Sequence, residues 1–449
     1  MSSKTFFARL RYFVKMTEYT PPRGMKDIDV EEMEKRMWVY DKIETVLRSY
    51  GFKRVEPSFV EHLETLTAKS GQAITAEIYH FKDKSGRDLG LRFDLTVGIA
   101  RMVANNFAYP EPLKLYAISP MWRYDEPQAG RYRCFWQWDV EEFGSEEPYS
   151  DAEVIAVSLD AMKKVGLSGI RARISSRKLI DGILESIGTF DETKRLEILR
   201  ILDKSQKVSH EELISMLKTA GLKNEDVEKL LGSVRLRGSV DFVSSALGKS
   251  NAKIEEALTE IQIVWDELSS LGVSSMCELD LGIVRGLDYY DGIVFEGFEQ
   301  SLGSLSIFGG GRYNKLTGIY GKRALPATGA AGGVERLLIA LERKGVFRNL
   351  PKPNRVFIAI VSDEVRSHAI ALCQSLRNAE IVAEYPIKKW SLRRQLEYAD
   401  VAGFTHTVIV GKKEVQTGLY ALKELKSGNQ VELSLEQIIN KLAPVAQHG

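Results

Sequence analysis

Two periodicities divide the chain. From Val30 to Tyr50, Met33, Met37, Tyr40, Ile43 and Leu47 recur every three or four residues, which predicts an amphipathic helix ended by Gly51. Phe52–Pro57 predicts an extended segment that Pro57 closes, and the pair suits either core packing or a dimer seam. Period-two alternation follows. Leu89–Val97 is predicted as a strand, with Arg92, Asp94 and Thr96 on one face and Leu91, Phe93 and Leu95 on the other. Leu113–Arg123 predicts the next strand, and a hairpin loop, Asp125–Gly130, leads into another. There Tyr132, Cys134, Trp136, Trp138 and Val140 form an ordinary core face. The opposite face carries Arg131, Arg133, Phe135, Gln137, Asp139 and Glu141. Two arginines, a ring, an amide and two acids side by side suit a pocket for a polyanion and a small polar molecule.

Ile170–Ser175 predicts a further strand. From about Lys178 to Leu268 helical spacing replaces alternation, and 13 Lys and Arg face 17 Asp and Glu, which predicts an acidic helical insertion. Strand texture returns at Cys277–Arg285 and Gly292–Phe298. Phe308–Tyr313 carries three glycines, and Ala327–Leu341 is predicted as a glycine-dotted helix. Pro351–Asn354 reads as a linker. Beyond it, Arg355–Val361, Ile381–Glu384 and His406–Val410 as strands and Ser367–Asn378 and Ser391–Ala402 as helices predict a small mixed-sheet α/β domain.

A length of 449 residues implies more than one domain, and 44% hydrophobic residues allow a real core. With a net charge of +1, bulk charge alone holds no partner, though a local basic patch suffices for nucleic acid. Cys134, Cys277 and Cys373 form no CxxC pair, and the six histidines lack metal-ligand spacing. That usage suits a reducing cytosol. No apolar run approaches a membrane span. Met1–Lys15, basic and free of acids, reads as an extension ahead of Met16 or as a targeting peptide.

Four sets carry chemistry. Arg123, Arg131 and Arg336 can grip phosphate oxygens as forks, with Phe135 placed to stack on a base; alone, they also fit a surface salt-bridge ladder. Gly329–Arg336 holds three interior glycines, each costing a helix about 1 kcal/mol, which points to close approach of a backbone or ligand or to tight packing. Asp94, Thr96 and Gln137 can offer acceptors to an ammonium group, with Glu141 beside them; Asp94 equally fits a salt bridge to Arg92. In Ile283–Gly292, Arg285 can pair with a carboxylate and stabilise charge developing on phosphorus, and Tyr289 and Tyr290 can reach a ring nitrogen; a tyrosine-rich edge strand is the plainer reading. No Ser–His–Asp, Cys–His or Walker set is present, so chemistry rests on positioned charge.

Together these segments resemble the class II aminoacyl-tRNA synthetases, and among them the histidyl-tRNA synthetase family. Phe52–Pro57 is similar to the first class motif, MWRYDEPQAGRYRCFWQ (Met121–Gln137) to the second and GGVERLLIAL (Gly332–Leu341) to the third. RGLDYYDG (Arg285–Gly292) resembles the histidine-specific segment, and RFDLT (Arg92–Thr96) the amino-group site. The likeness spans about Thr20 to Leu442. It implies an α+β fold, a six-stranded antiparallel sheet flanked by helices, with a helical insertion and a C-terminal α/β anticodon-binding domain. The implied divisions are 1–16 as extension, 17–345 as catalytic domain with the insertion at 178–268, and 353–445 as anticodon-binding domain.

The resemblance also implies roles. Arg123 would hold the α-phosphate of ATP, Arg131 the distal phosphates, and Phe135 and Arg336 the adenine, with Asp125 nearby. Asp94, Thr96 and Gln137 would bind the α-ammonium of histidine; Glu141 and Tyr290 would read its imidazole, with Tyr289 beside it; Arg285 would hold its carboxylate; and Leu95 belongs to the same histidine-binding set. Arg285, Arg123 and Gln137 make up the implied catalytic set. Mg²⁺ would come with ATP, without dedicated protein ligands. Implied partners are histidine, ATP and tRNA(His), in a cytoplasmic homodimer. Two departures stand out: Asp125 replaces the family's frequent glutamate, and Asp139 replaces the glycine of bacterial-type members. A runner-up is the synthetase-like regulatory subunit of ATP phosphoribosyltransferase, which typically lacks the counterparts of Arg285 and of the C-terminal domain. A non-catalytic nucleic-acid-binding protein and a synthetase for another amino acid fit less. Lys388, Lys389, Trp390, Arg393 and Arg394 form a basic and aromatic cluster suited to RNA or to a solvated helix face.

Overall fold

The computed structural model describes residues 19–443 apart from 69–71, 106–107, 129, 189, 206–207, 249–250, 285–289, 300–301, 304 and 351–353. Arg285 and Tyr289, and the extension Met1–Lys15, lie outside the described residues. The chain divides into two compact units, at Arg348 and Asn349.

Nine strands make the large sheet of the first unit: β1 (Lys53–Arg54), β5 (Leu113–Trp122), β6 (Cys134–Phe143), β7 (Ile170–Ser176), β8 (Arg237–Gly238), β9 (Cys277–Asp280), β10 (Ile293–Glu299), β11 (Ser306–Arg312) and β12 (Ala327–Gly333). A small sheet holds β2 (Val60–His62), β3 (His80–Lys82) and β4 (Asp88–Leu91). The large sheet runs β1-β5-β6-β12-β11-β10-β7-β9-β8. Its middle six strands, β5 to β7, pair antiparallel throughout, while β1 joins β5 and β9 joins β7 in parallel and β8 closes the far edge antiparallel to β9. The strand β6 shows why a side-chain period of two builds a site: Trp138 and Val140 enter the main core with Val39, Ile43 and Leu47 of the Val30–Ser49 helix and Val154 and Ile155 of the Pro148–Lys164 helix. Phe135, Gln137, Asp139, Glu141 and Phe143 take the other face.

The Val30–Ser49 helix is capped by Asp29, whose side chain accepts from Glu32 N, and is followed by Gly51 at φ +83°. Its buried stripe is Arg36, Val39, Tyr40, Ile43, Val46 and Leu47. Met33 and Met37 are exposed, so the stripe is rotated from the one expected. Of Phe52–Pro57, Lys53–Arg54 alone is strand. Within the region expected as an insertion lie six helices, from Arg177–Ile187 to Ala252–Ser270, and their apolar faces share the main core.

Two expectations are corrected. Leu89–Val97 is not one strand: β4 stops at Leu91, and Leu95–Ala104 is a helix with Asp94 at its N-cap. Leu95, Ile99 and Val103 recur every four residues and bury together, and that burial outweighs the shorter alternation before them. Ala327–Leu341 is not one helix either. Its first half is β12 and its second the helix Val334–Arg343. Small residues are needed because β12 threads between crowded neighbours. A Cβ at Gly329 would collide with the Glu141 carboxylate, and one at Gly310 on β11 with the Gly329 carbonyl.

The second unit has a five-stranded mixed sheet of β13 (Arg355–Ile360), β14 (Val382–Glu384), β15 (His406–Val410), β16 (Leu419–Glu424) and β17 (Gln430–Ser434), ordered β14-β13-β15-β16-β17. Helices Arg366–Asn378 and Leu435–Leu442 bury Leu372, Leu376, Ile438 and Leu442 on one cluster, and Ala399 of Leu392–Val401 packs with Phe357 and Phe404 in another.

Candidate active site

A cavity of about 360 Å³ opens over the odd-numbered face of β6. Phe135, Gln137 and Glu141 line it from β6, Asp94 and Thr96 from the start of the Leu95–Ala104 helix, and Arg123, Asp125 and Arg131 from the β5–β6 hairpin. Tyr290 and Arg336 complete the set, so every expected ligand-binding residue that is described lines one cavity except Leu95. The Leu95 side chain is fully buried in the core with Ile99 and Leu115.

One end of the cavity is cationic. Arg123 Nε donates to the Phe93 carbonyl at 2.9 Å, and its guanidinium sits 5.2 Å from the centre of the Phe135 ring. Arg131 pairs with Asp125 at 3.0 Å, and both remain reachable from solvent. Arg336, in the first turn of its helix, donates to the Ser306 carbonyl at 3.1 Å. Its pKa is lowered by burial first and then by the charges of Arg131 and Arg123. Three guanidiniums beside one paired carboxylate make a standing anion site. Arg133, expected on this face, leaves it: β6 begins only at Cys134, and Arg133 turns to the Asp125 carbonyl and covers the Tyr124 ring at 3.9 Å.

The clamp behind this end escaped the sequence reading. Glu335, next to Arg336, pairs with Arg36 of the first helix at 2.9 Å and accepts from the backbone N–H of Trp136 at 3.1 and 3.2 Å. Both side chains are buried, so the pair ties Arg336 to the strand carrying Phe135.

The other end is acidic. Asp94 does not pair with Arg92. Arg92 instead bonds Glu56 at 2.7 Å and the carbonyls of Pro57 and Pro120. Asp94 Oδ1 is buried with no hydrogen-bond partner. Asp139 is fully buried; its Oδ2 accepts from Thr96 Oγ1 at 3.4 Å and Gln137 Nε2 at 3.3 Å, its Oδ1 accepts from no donor among the described residues, and the Glu141 carboxyl lies within hydrogen-bond reach of it. Burial, and next the Asp94 charge, push the Asp139 pKa up to about 7. Glu141 is raised well above the ordinary carboxylate range by burial and by Asp139. The hydroxyl of Tyr313 donates to Glu141 Oε2. Tyr313 was not singled out from the sequence, although it directly follows the strand that carries the glycine run. Among the described residues these three carboxyl groups have no counter-cation, and together they form a cradle for a cationic ligand.

In the second unit, Lys389 approaches Asp363 at 3.5 Å, Arg393 pairs with Glu397 at 2.9 Å, and the Arg394 guanidinium lies 5.7 Å from the Trp390 ring centre. Trp390 in turn contacts Tyr398, with ring centres 5.0 Å apart. Lys388 is exposed in the bend before the Leu392–Val401 helix.

Residues 24–337 match the family model described as histidyl-tRNA synthetase, and residues 355–444 the model of the anticodon binding domain. The chain belongs to the histidyl-tRNA synthetase family. Curated relatives named histidine–tRNA ligase include that of Pyrococcus horikoshii, 39% identical over 94% of this chain and 97% of that one. The Pyrococcus abyssi relative is 38% identical over the same shares. Among solved structures, the histidyl-tRNA synthetase of Nostoc sp. PCC 7120 superposes with a TM-score of 0.82 at 29% identity, covering 95% of this chain and all of that one. A Bacillus halodurans structure, described as an ATP phosphoribosyltransferase regulatory subunit/histidyl-tRNA synthetase, gives 0.73 at 25% identity over 87% of this chain and 98% of its own.

Proposed function

We propose that this chain joins histidine to ATP, forming histidyl-adenylate and pyrophosphate, and passes the histidyl group to the terminal ribose of tRNA(His). The observation that carries the reading is one cavity with a cluster of guanidiniums at one end and uncompensated buried carboxyl groups at the other. A triphosphate suits the first, with Arg123 on the α-phosphate, Arg131 on the distal phosphates, and Phe135 and Arg336 about the adenine. An α-ammonium and an imidazole suit the second: Asp94, Thr96 and Gln137 accept from the ammonium, and Glu141 and Tyr290, joined by Tyr313, face the ring. Between them a histidine carboxylate oxygen attacks the α-phosphorus and pyrophosphate leaves. Charge gathers on phosphoryl oxygens, where Arg123 lies, and Arg285 is the further donor assigned to that step.

Among the described residues no group of three His, Cys, Asp or Glu is placed to hold a metal. Mg²⁺ would arrive on the triphosphate, which it typically holds through phosphate oxygens and water. The second unit serves tRNA recognition through Lys388, Lys389, Trp390, Arg393 and Arg394. A homodimer uses apolar surface left outside the core, such as Met37, Phe59 and Val60. Among the described residues no helix is long and apolar enough to cross a membrane, and a cytoplasmic site of action fits the reading.

ATP–pyrophosphate exchange tested with each amino acid decides it. Exchange dependent on histidine alone is expected. Absence of exchange, together with stimulation of an ATP phosphoribosyltransferase, would replace the reading with the regulatory one. Light scattering tests the dimer.

A further inference from the structure

A fully buried acid with an unmade hydrogen bond needs a reason. Packing alone would be better served by an apolar side chain, since an uncompensated carboxylate is costly to bury. Asp139 lies between Gln137 and Glu141 on the site face of β6, and its Oδ2 is the shared acceptor for Thr96 Oγ1 and Gln137 Nε2. Those two contacts set the polarity of their neighbours. A threonine hydroxyl has one proton; spent on Asp139, it leaves only lone pairs. A glutamine amide whose nitrogen turns toward Asp139 directs its carbonyl oxygen away from it. With Asp94 Oδ1, which has no partner among the described residues, the amino-group end then offers a hydroxyl lone pair, an amide carbonyl oxygen and a carboxylate oxygen as acceptors.

We propose that Asp139 is a positioning residue for amino-acid recognition: by accepting from Thr96 and Gln137 it turns both into acceptors, so that the cradle binds a ligand bearing an α-ammonium and disfavours one lacking it. The inference rests on the function proposed above. Its two hydrogen bonds are long at 3.3 and 3.4 Å, as expected of contacts that tighten once a cation arrives.

Calorimetric titration of two probes tests it: histidine, and 3-(imidazol-4-yl)propionate, the same molecule without its amino group. Asp139→Ala should weaken histidine binding by about tenfold or more, the range for hydrogen bonds to charged groups, while binding of the deaminated probe changes less than about twofold. Asp139→Asn, which retains one acceptor oxygen, should fall between the variant and the unaltered protein, and carries the same comparison if the alanine variant does not fold. An equal loss for both probes, or no loss for histidine, would overturn the role of Asp139 alone. Failure of the unaltered protein to bind histidine would overturn the function itself.

Discussion

The two ends of the cavity solve opposite problems. At the cationic end the arginines are partly open to solvent and have partners in the empty protein: Arg131 has Asp125, Arg123 the Phe93 carbonyl, Arg336 the Ser306 carbonyl. At the acidic end the groups are buried and under-satisfied, with orphan oxygens on Asp94 and Asp139. A partnered, solvated site exchanges one set of contacts for another when ligand arrives, so it binds a common molecule without selecting finely. A site with buried, unmade bonds gains most from a ligand that supplies every missing donor. Sites built to bond a substrate's polar groups can reject an analogue lacking one by 10⁴ or more. On the function proposed above, selectivity for one amino acid would belong to the acidic end.

The largest effect expected is on the chemical step that joins histidine to ATP. Arg285→Ala should lower single-turnover adenylate formation by about 10²–10³, the usual loss for one donor to a developing charge. A near-normal rate would remove Arg285 from its assigned step and leave Arg123 to carry it. Next comes Glu141→Ala, which removes an acceptor confined to the acidic end. Histidine affinity should fall by about 1.5–3 kcal/mol while ATP affinity stays within a factor of about two. Equal losses for both ligands would mean that the ends are not separable.

Acidity gives a third test, because the two ends titrate differently. Burial and neighbouring acids raise the Asp139 pKa to about 7, against about 3.9 for an unfolded aspartate. Between pH 4 and 7 the unfolded chain releases that proton while the folded protein keeps it. The associated stability is full below pH 4 and is lost as pH rises through 7. Guanidiniums stay charged throughout, so the cationic end adds no such slope. Thermal melts of the ligand-free protein should show Asp139→Asn stabilised relative to the unaltered chain at pH 8, by a few degrees, and not at pH 4. Parallel melting curves across that range would show that Asp139 is ionised at neutrality. Histidine, by supplying the counter-charge, should stabilise more at pH 8 than at pH 6.

Much of the acidic end was legible because β6 alternates strictly, so Gln137, Asp139 and Glu141 had to share a face. Arg123 and Arg131 were legible because a short hairpin brings strand ends together. What failed were places where tertiary packing overrode local pattern. Asp94 and Thr96 reach the cavity from a helix N-terminus rather than a strand. The glycines of Ala327–Gly333 read as helix because nothing local reveals that Glu141 and Trp138 crowd them from the next strand. Arg36 with Glu335 joins residues 299 apart in sequence, and Tyr313 meets Glu141 across 172; no periodicity encodes such distances. Even so, the motif likeness named the family whose model matches residues 24–337.

The smallest effect expected concerns neither end, and for that reason it marks the limits of the cavity. Lys388, in the bend before the Leu392–Val401 helix, and Arg393, in the first turn of that helix, are exposed, and Arg393 makes a solvent-screened contact to Glu397. Charge at such positions is worth about 1 kcal/mol or less to folding. Lys388→Glu with Arg393→Glu should therefore leave the melting temperature and histidine-dependent pyrophosphate exchange unchanged. If this surface meets tRNA phosphates, aminoacylation should fall roughly fivefold through the KM for tRNA, with a weaker dependence on salt, since fewer counterions are released on binding. A lower kcat with unaltered KM would place these side chains outside the RNA contact. Loss of exchange would show that they reach the activation site, and the separation of chemistry from RNA binding would fail with it.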